Sequence, residues 1–263
     1  MQSQYFDWLV PDWPAPPHVR AVCTTRQGGV SEGIYAGLNL GTHVGDEPQS
    51  VQANRQRLQE ATGAHAVFLN QVHGTHVQAL DCQSADGFSA DAAITEHPGV
   101  ACTVMVADCL PVLLCDAQGR RVLAAHAGWR GLLGAQGQGV LEQSVAAMRA
   151  GLPSRGQAGG ESLLAWLGPC IGPQAFEVGN EVREAFVAQS EAAAVCFIAT
   201  GPGKWLANLP ALARQRLAAL GIERTFGNDG SQAWCTVANP SRFFSHRRDR
   251  VSGRMAACIW RLD

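Results

Sequence analysis

The chain has 263 residues, 46% of them hydrophobic and 16% charged, with a formal net charge of -2. That is long enough to bury a full core, which excludes a disordered chain, and the near-neutral balance excludes a globally basic binder of nucleic acid or membrane surfaces. The apolar stretches are cut by Asp108 and Pro111, or by Gly168, Pro169, Gly172 and Pro173, so no membrane span is expected. The N-terminal MQSQYFDWLVPDWPAPP has neither a basic head nor an apolar run, and the nine cysteines form no CxxC pair. A cytoplasmic protein with free thiols, most of them small buried hydrophobes, is the expectation.

In chain order, apolar and partly β-branched runs predict strands over Val19–Thr25, Ala66–Leu69, His76–Leu80, Val100–Val106, Pro111–Cys115, Val122–Ala125, Leu163–Leu167 and Met255–Trp260. Helices are expected between them. Pro48–Thr62 has proline in its first turn and stops before Gly63. Leu132–Ala150 stops before Gly151, although Gly134, Gly137 and Gly139 weaken its start. Asn180–Ala193 and Asn208–Leu220 carry apolar residues at helical spacing. The stretch 151–160 reads as a loop excursion. Helices scattered among many strands, without regular βαβ alternation, predict an α/β (α+β) sandwich: a mixed β-sheet core with flanking helices, in a single domain over residues 1–263.

Three polar clusters fall at or after predicted strands: Asn70-Gln71-Val72-His73-Gly74, Ala107-Asp108-Cys109-Leu110-Pro111 and His126-Ala127-Gly128-Trp129-Arg130-Gly131. Two imidazoles and a thiolate, His73, His126 and Cys109, are the donors of a three-ligand catalytic zinc that leaves one position open. Gaps of 36 and 17 residues are too long for a metal signature by themselves, and a buried cysteine with two hydrogen-bonded histidines explains the same residues. If 71–76 is a strand, Gln71 shares a face with His73 and could contact a ligand, whereas His76 faces away. Asp108 reads equally as a turn residue or a proton-transfer group, and His43 as a loop hydrogen bonder.

The order of motifs Thr24-Thr25-Arg26-Gln27-Gly28-Gly29, Leu38-Asn39-Leu40-Gly41-Thr42-His43, Gln71-Val72-His73-Gly74, Ala107-Asp108-Cys109-Leu110-Pro111, His126-Ala127-Gly128-Trp129-Arg130-Gly131, Gly168-Pro169-Cys170 and Phe243-Phe244-Ser245-His246-Arg247-Arg248-Asp249 resembles the YfiH-type family. That family is also called the multicopper polyphenol oxidase (laccase-like) or peptidoglycan editing factor family. The resemblance spans nearly the whole chain and implies zinc on His73, Cys109 and His126. Two departures stand out: His246 where the family often has Tyr, and Arg250 where it often has a small residue.

The resemblance further implies purine nucleoside phosphorylase activity on adenosine, inosine and methylthioadenosine, together with adenosine deamination. A zinc-activated water is suited to attack C6 of adenine, and phosphate beside the ribose calls for bidentate arginine. Arg26, Arg130, Arg247 and Arg248 are the candidates, Lys204 being the only lysine. Residues 242–254 carry five arginines against Asp249, a local charge of +4 that reads either as an anion site or as a solvated basic face. The expected partners are purine nucleosides and phosphate, with neither nucleic acid nor membrane, on a monomer or weak dimer. Laccase chemistry is not expected, because the eight histidines contain no His-x-His pair. The alternatives are a single-copper (Cu2+) oxidase on the same ligands, a Cys109-dependent hydrolase editing peptidoglycan precursors, and a metal-dependent scaffold.

Overall fold

The structure, a computed structural model, describes residues 7–150 and 163–263, so the loop expected at 151–160 lies outside the described residues. The strands in chain order are β1 (Val19–Cys23), β2 (His65–Phe68), β3 (Val77–Leu80), β4 (Ala92–Thr95), β5 (Val100–Val106), β6 (Leu110–Asp116) and β7 (Val122–Ala127). They continue with β8 (Leu163–Leu167), β9 (Glu177–Gly179), β10 (Phe197–Gly201), β11 (Lys204–Ala207), β12 (Thr225–Gly227) and β13 (Met255–Arg261). The helices are α1 (Pro48–Thr62), α2 (Trp129–Leu133), α3 (Val140–Arg149), α4 (Asn180–Gln189), α5 (Leu209–Ala219) and α6 (His246–Asp249).

Two mixed sheets lie face to face, one in the order β1-β13-β5-β2 and the other β12-β8-β6-β7-β4-β3. Strict alternation along the central strands separates three apolar layers. Cys102, Val104, Ala257 and Ile259 of the first sheet meet Leu113, Cys115, Val122, Ala124, Leu164 and Trp166 of the second between the sheets. Their sequence neighbours point outward. Ala101, Met105, Ala256, Cys258 and Trp260 pack under Leu58 of α1, while Val112, Leu114, Leu123, Ala125 and Ala165 pack under α3, α4 and α5. Strands covered on both faces need near-continuous apolar runs, as β5, β6 and β7 have apart from Thr103, Asp116 and His126, and each fully buried Leu or Val contributes about 1.5–3 kcal/mol. Seven of the nine cysteines are buried in these layers or beside them, leaving only Cys82 and Cys109 in contact with solvent. Burial pushes the thiols of Cys115 and Cys258 up to about 12, so they behave as small hydrophobes.

The mixed-sheet sandwich agrees with the sequence expectation, with three local differences. The helix expected over Leu132–Ala150 is two helices, because Gly134, Gln136 and Gly137 hold positive φ (62°, 52° and 77°) that a right-handed helix cannot continue. A Cβ at Gly139 would lie 2.2 Å from the Leu132 carbonyl oxygen, so this turn requires glycine. The segment 71–76 is a loop rather than a strand, with His73 at φ 59°; strand alternation therefore has no bearing on which way Gln71, His73 and His76 face. The short strands β4, β9, β10, β11 and β12, three to five residues each, escape any periodicity argument. No helix among the described residues is long and apolar enough to cross a membrane.

Candidate metal centre and active site

The site forms where β6, β7 and β4 end together. In the β6–β7 ladder Leu110 pairs with Ala127, which sets the preceding Cys109 beside Gly128 and next to His126. A Cβ at Gly128 would lie 3.0 Å from Cys109 Sγ and 3.0 Å from His73 Cδ2, so only glycine leaves the thiol and imidazole free to converge. Gly131 admits the loop from the other side, since a Cβ there would be 2.8 Å from the Gly74 carbonyl oxygen.

His73, Cys109 and His126 present one ligand atom each, all within 4.8 Å of one another. Cys109 Sγ is 3.8 Å from His73 Nε2, and the two imidazoles meet edge to face at 4.8 Å between centroids. Tetrahedral zinc with ordinary Zn–S and Zn–N bonds sets its sulfur and nitrogen ligands about 3.6 Å apart, so the group needs little adjustment to receive the ion.

A fourth residue organises all of this. Asp91, fully buried at the start of β4, is the carboxylate that sequence reasoning missed. Its Oδ1 accepts from His126 Nδ1 at 2.8 Å and from the His73 amide at 2.9 Å. Its Oδ2 accepts from the Gly74 amide at 2.6 Å and the Val72 amide at 3.2 Å. One carboxylate thus fixes the tautomer of one ligand and the left-handed loop carrying another, in the carboxylate–histidine–metal arrangement. Burial opposes its ionisation. The hydrogen bond and charge of His126, with the Gly74 and Val72 amides, outweigh burial and hold it below the usual carboxylate range. The only sequence signal was a lone acid preceding a short apolar run, Asp91-Ala92-Ala93-Ile94.

The metal-free ligands polarise one another. Burial works against a Cys109 thiolate, but the charge of His126 and hydrogen bonds to His126 and His73 bring the thiol down to about 6. Burial likewise works against charged His126, yet the Cys109 thiolate and the Asp91 carboxylate raise it to about 9. A thiolate of this kind is both a metal ligand and a nucleophile.

These ligands line a cavity of about 550 Å³, within the usual range for small-molecule sites. Leu69, Met105, Ile171, Phe176, Leu209 and Trp129 supply apolar wall, and His43, His246, Arg247, Arg250 and Arg254 supply polar and basic groups. Gln71 lines it too, although its amide is committed to Met105: Nε2 donates to the carbonyl at 2.8 Å and Oε1 accepts the amide at 2.7 Å. Asp108, at φ 95°, also has both oxygens occupied, accepting from Thr236 Oγ1 and from the Arg247 amide, each at 2.6 Å. It acts as a clamp joining the metal turn to the basic segment.

Of the expected arginines, the structure brings Arg247 to the cavity wall, its guanidinium donating to the Glu177 carbonyl at 3.1 Å above the Phe176 ring. Arg26, Arg130 and Arg248 are not among the cavity residues. Arg26 donates to the Pro240 and Ala36 carbonyls and stacks on Phe244. Arg248 is spent on Asp249 and the Thr236 carbonyl, and Arg130 stacks on Trp129. Backbone carbonyls capture the guanidiniums of Arg26 and Arg248, which composition could not reveal.

An α+β sandwich with a two-histidine, one-cysteine metal group at the end of its central hairpin is the class that fold and site define. Residues 20–262 match the family described as multi-copper polyphenol oxidoreductase laccase, and the chain belongs to that family. It is 49% identical over 254 residues to the purine nucleoside phosphorylase YfiH of Escherichia coli, covering 96% of this chain and 98% of that protein. It is 48% identical over 257 residues to the purine nucleoside phosphorylase PA4543 of Pseudomonas aeruginosa, covering 97% and 99%. Among solved structures, protein NMB0706 of Neisseria meningitidis superposes with a TM-score of 0.87 at 45% identity, covering 98% of this chain and 100% of that one. YlmD from Geobacillus stearothermophilus superposes at 0.84 with 30% identity, covering 100% and 98%.

Proposed function

We propose that the protein is a zinc-dependent purine nucleoside phosphorylase, converting adenosine, inosine or methylthioadenosine and phosphate to free base and ribose 1-phosphate, with adenosine deamination as a second activity. The observation that carries the reading is the convergence of His73, Cys109 and His126 in a cavity that also has an apolar wall and basic side chains. The names borne by near relatives over almost their whole length point the same way. Zinc suits the donor set of two imidazoles and one thiolate, and when bound it supplies Lewis acidity and water activation near neutral pH.

The chain's own residues do the rest. Asp91 holds His126 with Nδ1 protonated, leaving Nε2 as the ligand atom. Phe176, Ile171 and Trp129 offer apolar surface to a purine, Arg247 lines the same cavity to position the nucleoside, and Gln71, held by Met105, has one amide N–H left to offer it. The buried free thiols fit a reducing, cytoplasmic location.

The test is product analysis on zinc-loaded protein. Adenosine with phosphate is expected to yield adenine and ribose 1-phosphate, and without phosphate inosine alone. The reading fails if neither product forms, or if His126→Ala leaves turnover unchanged. A second reading has one specific observation in its favour, the depressed thiol of Cys109 beside two histidines: a thiol hydrolase. Such an enzyme would survive chelation and be killed by iodoacetamide, whereas the phosphorylase requires the metal.

A further inference from the structure

The arginines at residues 242–254 divide sharply by what they touch. Arg242 pairs with Asp7, Arg247 with the Glu177 carbonyl and Arg248 with Asp249. Arg250 is different. It is exposed and lines the cavity; its amide donates to the His246 carbonyl at 2.8 Å, but its guanidinium makes no hydrogen bond or ion pair among the described residues. Its backbone is held at φ 64°, ψ -54°, closed by a hydrogen bond from the Val251 amide to the Asp249 carbonyl at 2.7 Å. This is a γ-turn of the hand disfavoured for L-residues. Such strain concentrates where a side chain must be aimed rather than where the chain merely turns.

Arg254, half-buried at the same cavity, is built in from several sides. Its amide donates to Asn39 Oδ1 at 2.8 Å and its carbonyl accepts from the Leu40 amide at 3.1 Å. Its stem lies against Gly41, where a Cβ would come within 2.8 Å of its Cγ. One guanidinium nitrogen, Nη1, donates to the Ser252 and Gly253 carbonyls at 2.8 and 3.1 Å. Nε and Nη2 have no partner among the described residues, which leaves one edge of the fork for a ligand. Neither nearby carboxylate is hydrogen-bonded to the pair: Asp108 accepts from Thr236 and the Arg247 amide, and Asp249 from Arg248, although the charges of Cys109 and Asp108 act on Arg254 through space. His43, from the loop that carries Gly41, completes this wall.

We propose that Arg250 and Arg254 form the subsite of the cavity that holds a tetrahedral phosphate group, with Arg254 as the anchored fork and Arg250 as the strained, solvent-side cation. Two sources supply that chemistry, inorganic phosphate as co-substrate and the 5′-phosphate of a purine nucleotide. The assignment of inorganic phosphate rests on the phosphorylase reading above. The subsite itself rests on the unpartnered guanidinium of Arg250 and the open Nε–Nη2 edge of Arg254.

The experiment is calorimetric titration of the zinc-loaded protein with inorganic phosphate and, separately, with adenosine 5′-monophosphate, for the parent, Arg250→Met, Arg250→Gly and Arg254→Lys. Loss of a charge-assisted contact predicts binding weaker by about 10- to 100-fold for the Arg250 variants. A lysine keeps the charge of Arg254 without its fork, so Arg254→Lys is expected to fall between parent and the Arg250 variants. Arg250→Gly relieves the turn and is expected to raise Tm while weakening phosphate binding, a combination that a purely structural role for Arg250 would not produce.

Arginine dependence in the phosphate arm, or in the nucleotide arm, supports the subsite and identifies its source. Equal binding of both ligands by parent and variants overturns it, as does a parent that binds neither. If phosphate binds with this dependence but adenosine yields no ribose 1-phosphate, the subsite stands and the phosphorylase reading falls. If ribose 1-phosphate forms with KM for phosphate unchanged in the variants, and nucleotide binding is unchanged as well, the phosphorylase stands and the subsite falls.

Discussion

Replacing Asp91 by Asn tests the organisation of the metal centre with almost no change of shape. The carboxylate accepts four hydrogen bonds, two on each oxygen, and is fully buried. An amide keeps one acceptor oxygen. If that oxygen serves His126 and His73, the amide NH2 points at the donor N–H groups of Gly74 and Val72; the flipped amide instead faces His126 Nδ1 with a donor. Two or more donors then lose their acceptor, each costing about 1–3 kcal/mol, and because the loop is only half-buried the lower end applies, about 2–3 kcal/mol in total.

Asp91→Asn also stops fixing the His126 tautomer, for which loss of an outer-shell carboxylate typically costs about 10–100-fold in metal affinity. Denaturant unfolding of the metal-free protein reads the first effect and zinc titration against a competing chelator reads the second. A variant with the parent's unfolding midpoint and the parent's zinc affinity would refute the role assigned to Asp91.

Gly128→Ala puts a methyl group 3.0 Å from both Cys109 Sγ and His73 Cδ2, so at least about tenfold weaker zinc binding is expected, with an overpacking cost of about 1–3 kcal/mol in the same chelator and denaturant assays. Zinc binding should also depend on pH. The metal takes thiolate and neutral imidazole, and in the metal-free protein Cys109 is already ionised above about 6 while His126 keeps its proton up to about 9. Between these limits binding expels the His126 proton, so affinity rises with pH by about tenfold per unit and levels off above about 9. Calorimetry in buffers of different ionisation enthalpy should detect about one proton released per zinc at pH 7.5, and none released would contradict the imidazolium–thiolate pair.

The legibility of the site differs residue by residue. Cys109 and His126 flank recognisable strands, and the antiparallel pairing of a short hairpin brings them together almost by itself. His73 comes from a loop whose left-handed turn depends on Asp91, a contact spanning 18 residues that no local pattern encodes. β4 was invisible for the same reason: four residues carry no usable period, yet its pairing with β7 is what delivers Asp91 to His126. Among the arginines, type and number were plain, but their employment was not. Arg26 and Arg248 answer to backbone carbonyls, while Arg250 and Arg254 face the cavity with donors to spare.

A length of 263 residues, a near-zero net charge and near-continuous apolar strands were sufficient to require sheets covered on both faces, and the lack of regular βαβ alternation favoured a mixed-sheet sandwich over a doubly wound sheet. The motif resemblance singled out His73, Cys109 and His126 as a candidate metal group, and the fold brings their ligand atoms together. Tertiary structure alone decided which carboxylate orients them and which of the nineteen arginines (20 Lys+Arg less Lys204) remain free for an anion. Both depend on hydrogen bonds between residues distant in sequence, whose partners exist only once the chain has folded.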